Sequence, residues 1–300
     1  MSEYLTKEEV AATLHMSSRK AANALKVGKT TVNKYRGIYG LQRADRGLTE
    51  ALPAATKPRI LALDLETSPN VAHVWGLWNQ NVSIKQLLES TEVICFGARW
   101  LGEDDVEIRS VHHDGKEKMI RRAYELIDEA DVVMGWNSKN FDVKHLNREF
   151  VQFGLTPPSP TANLDLMVEV KRVFRFPSNK LDYVSRALGL EGKVQHSGHE
   201  LWIRCLAGDE DAWAEMYEYQ KQDVDLLIEL YYRLLPWLKN HPNVGLWNDE
   251  EELCVACGSP NLQKRGFERT AVSTFQRYRC NDCGRWQHGF KRLGTTTMRR

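Results

Sequence analysis

The run PRILALDLETSP constrains this chain more than any other segment. An apolar stretch of strand length begins at Ile60 and carries Asp64 and Glu66 two residues apart near its end. Side chains at i and i+2 of a strand project from the same face, so the two carboxylates share one location. Like charges brought together under partial burial are costly unless a cation or a shared proton relieves them. A ligand set made only of oxygens suits Mg²⁺ or Mn²⁺. The segment therefore reads as half of a metal site, or else as a strand end whose acids are solvated or paired with Lys or Arg.

The 42% apolar and 27% charged fractions over 300 residues are those of a globular chain able to bury a core. The polar, acidic start MSEYLTKEEV and the lack of an apolar run near the ~18 to 20 residues of a membrane span predict a soluble, cytoplasmic protein. Net charge of +1 hides an asymmetry. Residues 1–57 hold 10 Lys/Arg against 5 Asp/Glu, and residues 251–300 hold 10 against 4, leaving 21 basic and 31 acidic groups in the middle. Basic flanks are an electrostatic footprint for a polyanion. An acidic centre between them tolerates a polyanion when divalent cations neutralise part of it.

Residues 1–40 read as short helices. Ala21, Ala22, Leu25, Val27, Val32 and Tyr35 have the spacing of two helices packed across a tight turn. The segment resembles a helix-turn-helix, with Lys26 where that motif usually has glycine. By that resemblance Lys29, Thr30, Asn33, Lys34 and Arg36 would face phosphates and base edges; a helical bundle without DNA contact is the alternative. Residues 41–57 lack periodicity and read as a linker. From 58 to 240 the pattern predicts an α/β domain. Strands are expected at RILALDLE, VAHVWGLW, EVICFGARWL and DVEIRSVHH, followed by strands alternating with helices through DVVMGW, FDVKHLNREFV and NLDLMVEV. A long helix from about Glu210 is expected to end at Pro236, with an apolar stripe of Trp213, Met216, Tyr217, Val224, Leu227, Tyr231 and Leu234 broken at Gln220. Most of the tryptophans are expected to be packing material.

Three further residues complete a pattern. Asp142 opens a helix behind an Asn-rich turn, and Tyr219 and Asp223 lie four apart on one helix face. Separately, a helix cap and a surface hydrogen bond explain them. Together with Asp64-x-Glu66, the run Asn137 to Asp142 and Tyr219-x3-Asp223 resemble, in the same order, the three motifs of the DnaQ-like, or DEDD, 3′-to-5′ exonucleases. The resemblance covers about residues 58–238. Residue 218, where the histidine subtype has His, is Glu, so Tyr219 points to the tyrosine subtype. KLDYVSRALGL and HELW look like segments of phage-type, YprB-like members.

The resemblance implies an RNase H-like mixed sheet flanked by helices, and hydrolysis of phosphodiesters with two Mg²⁺ or Mn²⁺ to nucleoside 5′-monophosphates. It implies that Asp64 bridges both ions, that Glu66 and Asp223 hold one and that Asp142 holds the other. Tyr219 would orient the attacking water, since a phenol with an ordinary pKa of ~10 is a poor base at neutral pH. Asp165 and Asp182 are expected to mark element boundaries, and His196 and His199 to lie in a solvated loop. Nucleic acid is the implied partner, DNA before RNA, in a bacterial or phage-infected cytoplasm.

Near the C-terminus, Cys254, Cys257, Cys280 and Cys283 form C-x2-C-x22-C-x2-C. Two such turns direct four thiolates at one ion, a closed structural Zn²⁺ site, and residues 250–292 resemble a zinc ribbon. Lys264, Arg265, Arg277 and Arg279 alternate with aromatics there, a composition that suits single-stranded nucleic acid or a partner protein. The expected activity is thus a 3′-to-5′ exonuclease. The competing readings are a transposase-like or structure-specific endonuclease and an inactive nucleic-acid-binding regulator.

Overall fold

The computed structural model describes residues 5–13, 18–27, 29–38, 57–190, 197–247, 252–296 and 298. The chain divides into two units, Met1–Ala55 and Thr56–Arg300. Nearly all of the expected linker, 41–57, lies outside the described residues, as does His196.

In the first unit, α1 (Lys7–Ala12) is started by a reciprocal capping box between Thr6 and Glu9. Helices α2 (Ser18–Ala24) and α3 (Lys29–Ile38) follow. Ala21, Ala22 and Val32 are buried together, with Leu25 and Val27 packed against them. Lys26 sits in the turn with φ +52°. This is the left-handed conformation that glycine adopts without penalty and that costs an L-residue roughly 1–2 kcal/mol. The lysine keeps the glycine-like turn geometry despite its side chain.

The second unit is built on a five-stranded sheet. Its strands are β1 (Ile60–Thr67), β4 (Val93–Trp100), β5 (Glu107–Ser110), β6 (Val132–Gly135) and β7 (Ala162–Asp165), in the order β5-β4-β1-β6-β7. β1 pairs antiparallel with β4, and β4 with β5, while β1–β6 and β6–β7 are parallel. The hairpin half comes first in sequence. The parallel half needs crossovers, supplied by α4 (Lys116–Glu129) and α5 (Asp142–Gln152). The expected mixed sheet with flanking helices is therefore present. Strand β1 shows why. Leu61, Leu63 and Leu65 face one side and join Leu126, Leu146 and Phe150. Ile60 and Ala62 face the other side and join the core beneath α6 (Leu166–Val173), α7 (Leu181–Ala187) and α9 (Glu210–Leu234). Each such fully buried Leu stabilises by about 1.5–3 kcal/mol. Where that second face would continue, Asp64 and Glu66 stand instead.

One expected strand is mostly absent. Within VAHVWGLW only β2 (Val71–Ala72) pairs, with β3 (Leu87–Glu89), and residues 73–83 are irregular. Trp75 and Trp78 are 98% and 84% exposed, so these two are not packing material. Gly76 interrupts the run, and with no partner strand opposite it among the described residues, apolar content alone cannot hold a strand.

Helix α8 (His199–Leu206) packs on α9, which starts at an Asp209 N-cap accepting from the backbone N–H of Asp211 and Ala212. Strands β8 (Leu262–Arg269), β9 (Ser273–Cys280) and β10 (Trp286–Thr295) form a separate antiparallel sheet. Cys254, Ala256 and Cys280 share one core with Tyr231, Leu234, Leu235 and Leu238, so the C-terminal module is packed on the end of α9. The Arg285 guanidinium reinforces this by donating to the Pro236 and Leu238 carbonyls. Among the described residues, no helix is long and apolar enough to cross a membrane.

Candidate active site and metal centres

Asp64 and Glu66 point toward α9 from the central strand, and Asp223 meets them from that helix. One carboxylate oxygen from each lies within 4.8 Å of the others. Strand alternation accounts for the first two, and the register places Asp64 opposite Gly97 and Glu66 opposite Cys95. Gly97 allows the approach of α9. A Cβ there would meet Gln220 Oε1 at 2.9 Å and Val224 Cγ2 at 3.0 Å. Gln220, fully buried, fills the gap in the helix's apolar stripe, and its Nε2 donates to Asp64 Oδ2 at 3.3 Å. Its Oε1 is buried without a hydrogen-bond partner. Sequence reasoning missed this residue, although the break in the stripe was its signal.

Asp142 stands outside the three-acid cluster but beside it. It is the first residue of α5, is 1% exposed, and its Oδ1 accepts the Leu65 N–H at 3.2 Å. Burial, and next the Asp64 charge, push its carboxyl well above the usual carboxylate range. The preceding loop is held by Asp165, which accepts the backbone N–H groups of Asn137 (3.0 Å) and Lys139 (3.2 Å) while capping α6. Asp165 thus has the boundary role expected of it and also holds the loop that leads into Asp142. Asp182 lies in the first turn of α7, paired with Arg186, and His199 is exposed at the start of α8.

Tyr219 is 8% exposed and edges against Trp202 of α8, with ring centroids 6.3 Å apart. It precedes Asp223 by one turn on the same face of α9. Cys95, beneath the acids, has its thiol pushed well up by burial and by Glu66 and Asp64, so it adds no competing thiolate. The donor set is entirely oxygen, two of the acids are buried, and a buried amide oxygen lacks a partner. These features fit divalent cations of the Mg²⁺ or Mn²⁺ class.

The four cysteine sulfurs also converge within 4.8 Å. Cys254–Cys283 and Cys257–Cys280 are separated by 3.5 and 3.7 Å, and none is in a disulfide. Four sulfurs ~2.3 Å from a tetrahedral ion would be about 3.8 Å apart. Both turns have the same form, with Gly258 and Gly284 N–H returning to the Cys254 and Cys280 carbonyls and both glycines at positive φ. Burial pushes the Cys257 and Cys283 thiols up, the latter to about 11. A cation is what would make four thiolates compatible at neutral pH. The arrangement fits one structural Zn²⁺.

The basic residues of this module do not share one face. Lys264 pairs with Tyr278 and lines a groove with Gln276, Gln287 and Phe290. Arg277 and Arg279 alternate to the opposite face, where the Arg277 guanidinium lies 5.0 Å from the centre of the Trp286 ring. Arg265 is exposed, and its carbonyl accepts from Arg277 Nε. A register shift between Lys264 and Phe267 breaks the simple alternation of β8. In the first unit Lys34 is exposed on α3, while the side chains of Lys29, Thr30, Asn33 and Arg36 lie outside the described residues.

Residues 86–235, half of the chain, match the RNase_H superfamily. The chain belongs to the RNase H superfamily. The match runs from just before β3 to the end of α9 and so contains Asp142, Tyr219 and Asp223, with β1 lying before it. Among solved structures, the family B DNA polymerase from the hyperthermophilic archaeon Pyrobaculum calidifontis is similar at 21% identity and a TM-score of 0.45. That similarity covers 60% of this chain but only 25% of the polymerase. Comparison with curated proteins finds no match. Superfamily membership and the acidic cluster together support a nucleic-acid-cleaving function for this RNase H-superfamily chain.

Proposed function

We propose that the chain is a metal-dependent 3′-to-5′ exonuclease of the tyrosine-containing DEDD type. The observation that carries this reading is the convergence of Asp64, Glu66 and Asp223 from a central strand and a long helix, with Asp142 buried alongside and Tyr219 one turn from Asp223. Asp64, Glu66 and Asp223 would hold the divalent cations, with Asp142 completing the set from the α5 side. When bound, such ions stabilise negative charge on the phosphoryl oxygens and make a water nucleophilic. Gln220 orients Asp64 through its amide. Tyr219, edged against Trp202 and one turn before Asp223 on α9, would direct a water toward the scissile bond.

In this reading the N-terminal helices and the four-cysteine module recruit nucleic acid, through Lys34 and its neighbours on α3 and through the Arg277–Arg279–Trp286 face. Bases can stack on Trp286 while the guanidiniums meet phosphates. Zn²⁺ in the module is structural, since four protein ligands leave no open position.

The test is digestion of 5′-labelled single-stranded DNA and RNA with Mg²⁺, Mn²⁺ or chelator, using the native chain and the Asp64→Ala and Asp223→Ala variants. A metal-dependent ladder shortening from the 3′ end, lost in both variants, is expected. Internal cuts with no ladder would replace this reading with an endonuclease. Intact substrates with retained binding would replace it with a binding protein.

A further inference from the structure

Outside the acidic cluster and the cysteines, His112, His113 and Glu210 bring one ligand atom each to within 4.8 Å of one another. The two histidines occupy the turn that follows β5, and Glu210 is the first residue of α9, so the trio joins the sheet edge to the start of the helix that carries Tyr219 and Asp223. His112 Nε2 lies 2.9 Å from Glu210 Oε1, and His113 Nε2 lies 3.7 Å from Glu210 Oε2.

Each imidazole is aimed by a partner behind it. His113 Nδ1 is 3.0 Å from the Tyr217 hydroxyl and 3.3 Å from Ser110 Oγ, leaving Nε2 directed at the carboxylate. The His112 ring stacks on Trp213 at 5.4 Å and 11°. That indole is itself buried and donates to the Cys205 carbonyl. The turn is fixed as well, because Asp114 accepts the Ser110 N–H and its own N–H returns to the Ser110 carbonyl. A simple ion pair with Glu210 needs one histidine. Two rings with Nε2 converging, one of them held at Nδ1 by hydroxyls, form the arrangement in which an outer hydrogen bond fixes the ligating nitrogen.

We propose that His112, His113 and Glu210 form a binding site for a divalent transition-metal ion of the Zn²⁺ class. Two imidazoles and one carboxylate are the ligands of such an ion and a poor set for Mg²⁺. Three protein ligands leave a fourth position, and the side-chain exposures of Glu210 (75%) and His113 (46%) open it to water or an anionic oxygen. The register Glu66–Cys95–Ser110 places the turn two strand spacings, about 10 Å, from Glu66 on the same sheet. The ion would pin the first turn of α9 to the edge strand. The site uses none of the acids assigned to cleavage, so it stands whether or not the exonuclease reading does.

Calorimetric titration of the full chain with Zn²⁺, alongside bound-metal analysis after dialysis, tests the site. The native chain is expected to take up one equivalent more than Glu210→Gln, with affinity at that equivalent weakened at least about 100-fold in the variant. Glu210 is largely exposed, so this variant retains the fold. Tyr217→Phe is expected to retain the equivalent with affinity about 10-fold weaker, since it loses only the outer hydrogen bond. Asp64→Asn should leave the same equivalent intact. Identical stoichiometry and affinity in the native chain and Glu210→Gln would overturn the proposal.

Discussion

At the scale of single residues, Asp142 shows what burying one acid beside another does to stability. Its carboxyl is raised by burial and by Asp64, so ionising it at neutral pH without a cation works against folding. Because the folded-state pKa lies above the unfolded one, the contribution of this group is most favourable below the unfolded value of ~3.9 and is lost as pH rises through the folded value. Asp142→Asn keeps the acceptor for the Leu65 N–H and removes the charge. In chelator at pH 7 it is therefore expected to be more stable than the native chain by about 1–2 kcal/mol, with the difference shrinking below about pH 4. Denaturant titrations at the two pH values measure this. Metal-dependent cleavage in the same variant should fall about 100-fold or more. Lys26 offers the opposite case, in which a residue strains a turn without an acid to explain it. Lys26→Gly should stabilise the helical unit by about 1 kcal/mol, read from the thermal midpoint of its far-ultraviolet circular dichroism.

At the scale of elements, the approach of α9 to β1 and β4 makes the site. Gly97→Ala would press a methyl against Gln220 and Val224, both fully buried, and the helix must shift to receive it. Overpacking of this kind costs about 1–3 kcal/mol. Because Asp223 rides on that helix, kcat should fall more than KM rises, a split that steady-state kinetics on a short oligonucleotide would reveal. Equal kcat in variant and native chain would mean that the helix position is not critical to the acids. Much of this geometry was legible beforehand. Period-two alternation placed Asp64 with Glu66, and the four-residue spacing placed Tyr219 with Asp223. What could not be read were relations across elements. Gln220 appeared only as a break in a stripe, because its meaning depends on Asp64, 156 residues away. Val and Trp favour sheets and predict a strand at VAHVWGLW, residues 71–78, yet among the described residues no partner strand lies opposite Trp75 or Trp78. The division of Lys264 from Arg277 and Arg279 depends on a register shift that composition does not encode. His112 and Glu210 are 98 residues apart and meet only after the sheet edge and α9 are assembled.

At the scale of the molecule, the four-cysteine module is joined to the RNase H-like fold through the end of α9. Cys254 and Cys280 are fully buried in the same core as Leu234, Leu235 and Leu238. Arg285 ties the second cysteine turn to the Pro236 and Leu238 carbonyls. Asp223 lies 11 residues before Leu234, about 16 Å along the helix. If the module holds the proposed Zn²⁺, its loss leaves the four cysteine sulfurs facing one another against that core with no shared cation, the Cys257 and Cys283 thiols being pushed up by burial. The consequence should reach beyond the module. Stripping the ion with a thiol-reactive reagent, then restoring Mg²⁺ in excess, is expected to lower the thermal midpoint of the main transition of the Thr56–Arg300 unit by roughly 10 °C, corresponding to about 3–5 kcal/mol. Cys280→Ser should do the same without any reagent. Scanning calorimetry distinguishes the alternatives: one transition moving as a whole means that the shared core couples the two sheets. A small separate transition that vanishes while the main one stays in place would mean that the module is only tethered to the helix. In the coupled case, nuclease activity should decline with the zinc content of the chain even though the ion lies outside the acidic cluster, because the helix that holds Asp223 loses the packing at its C-terminal end.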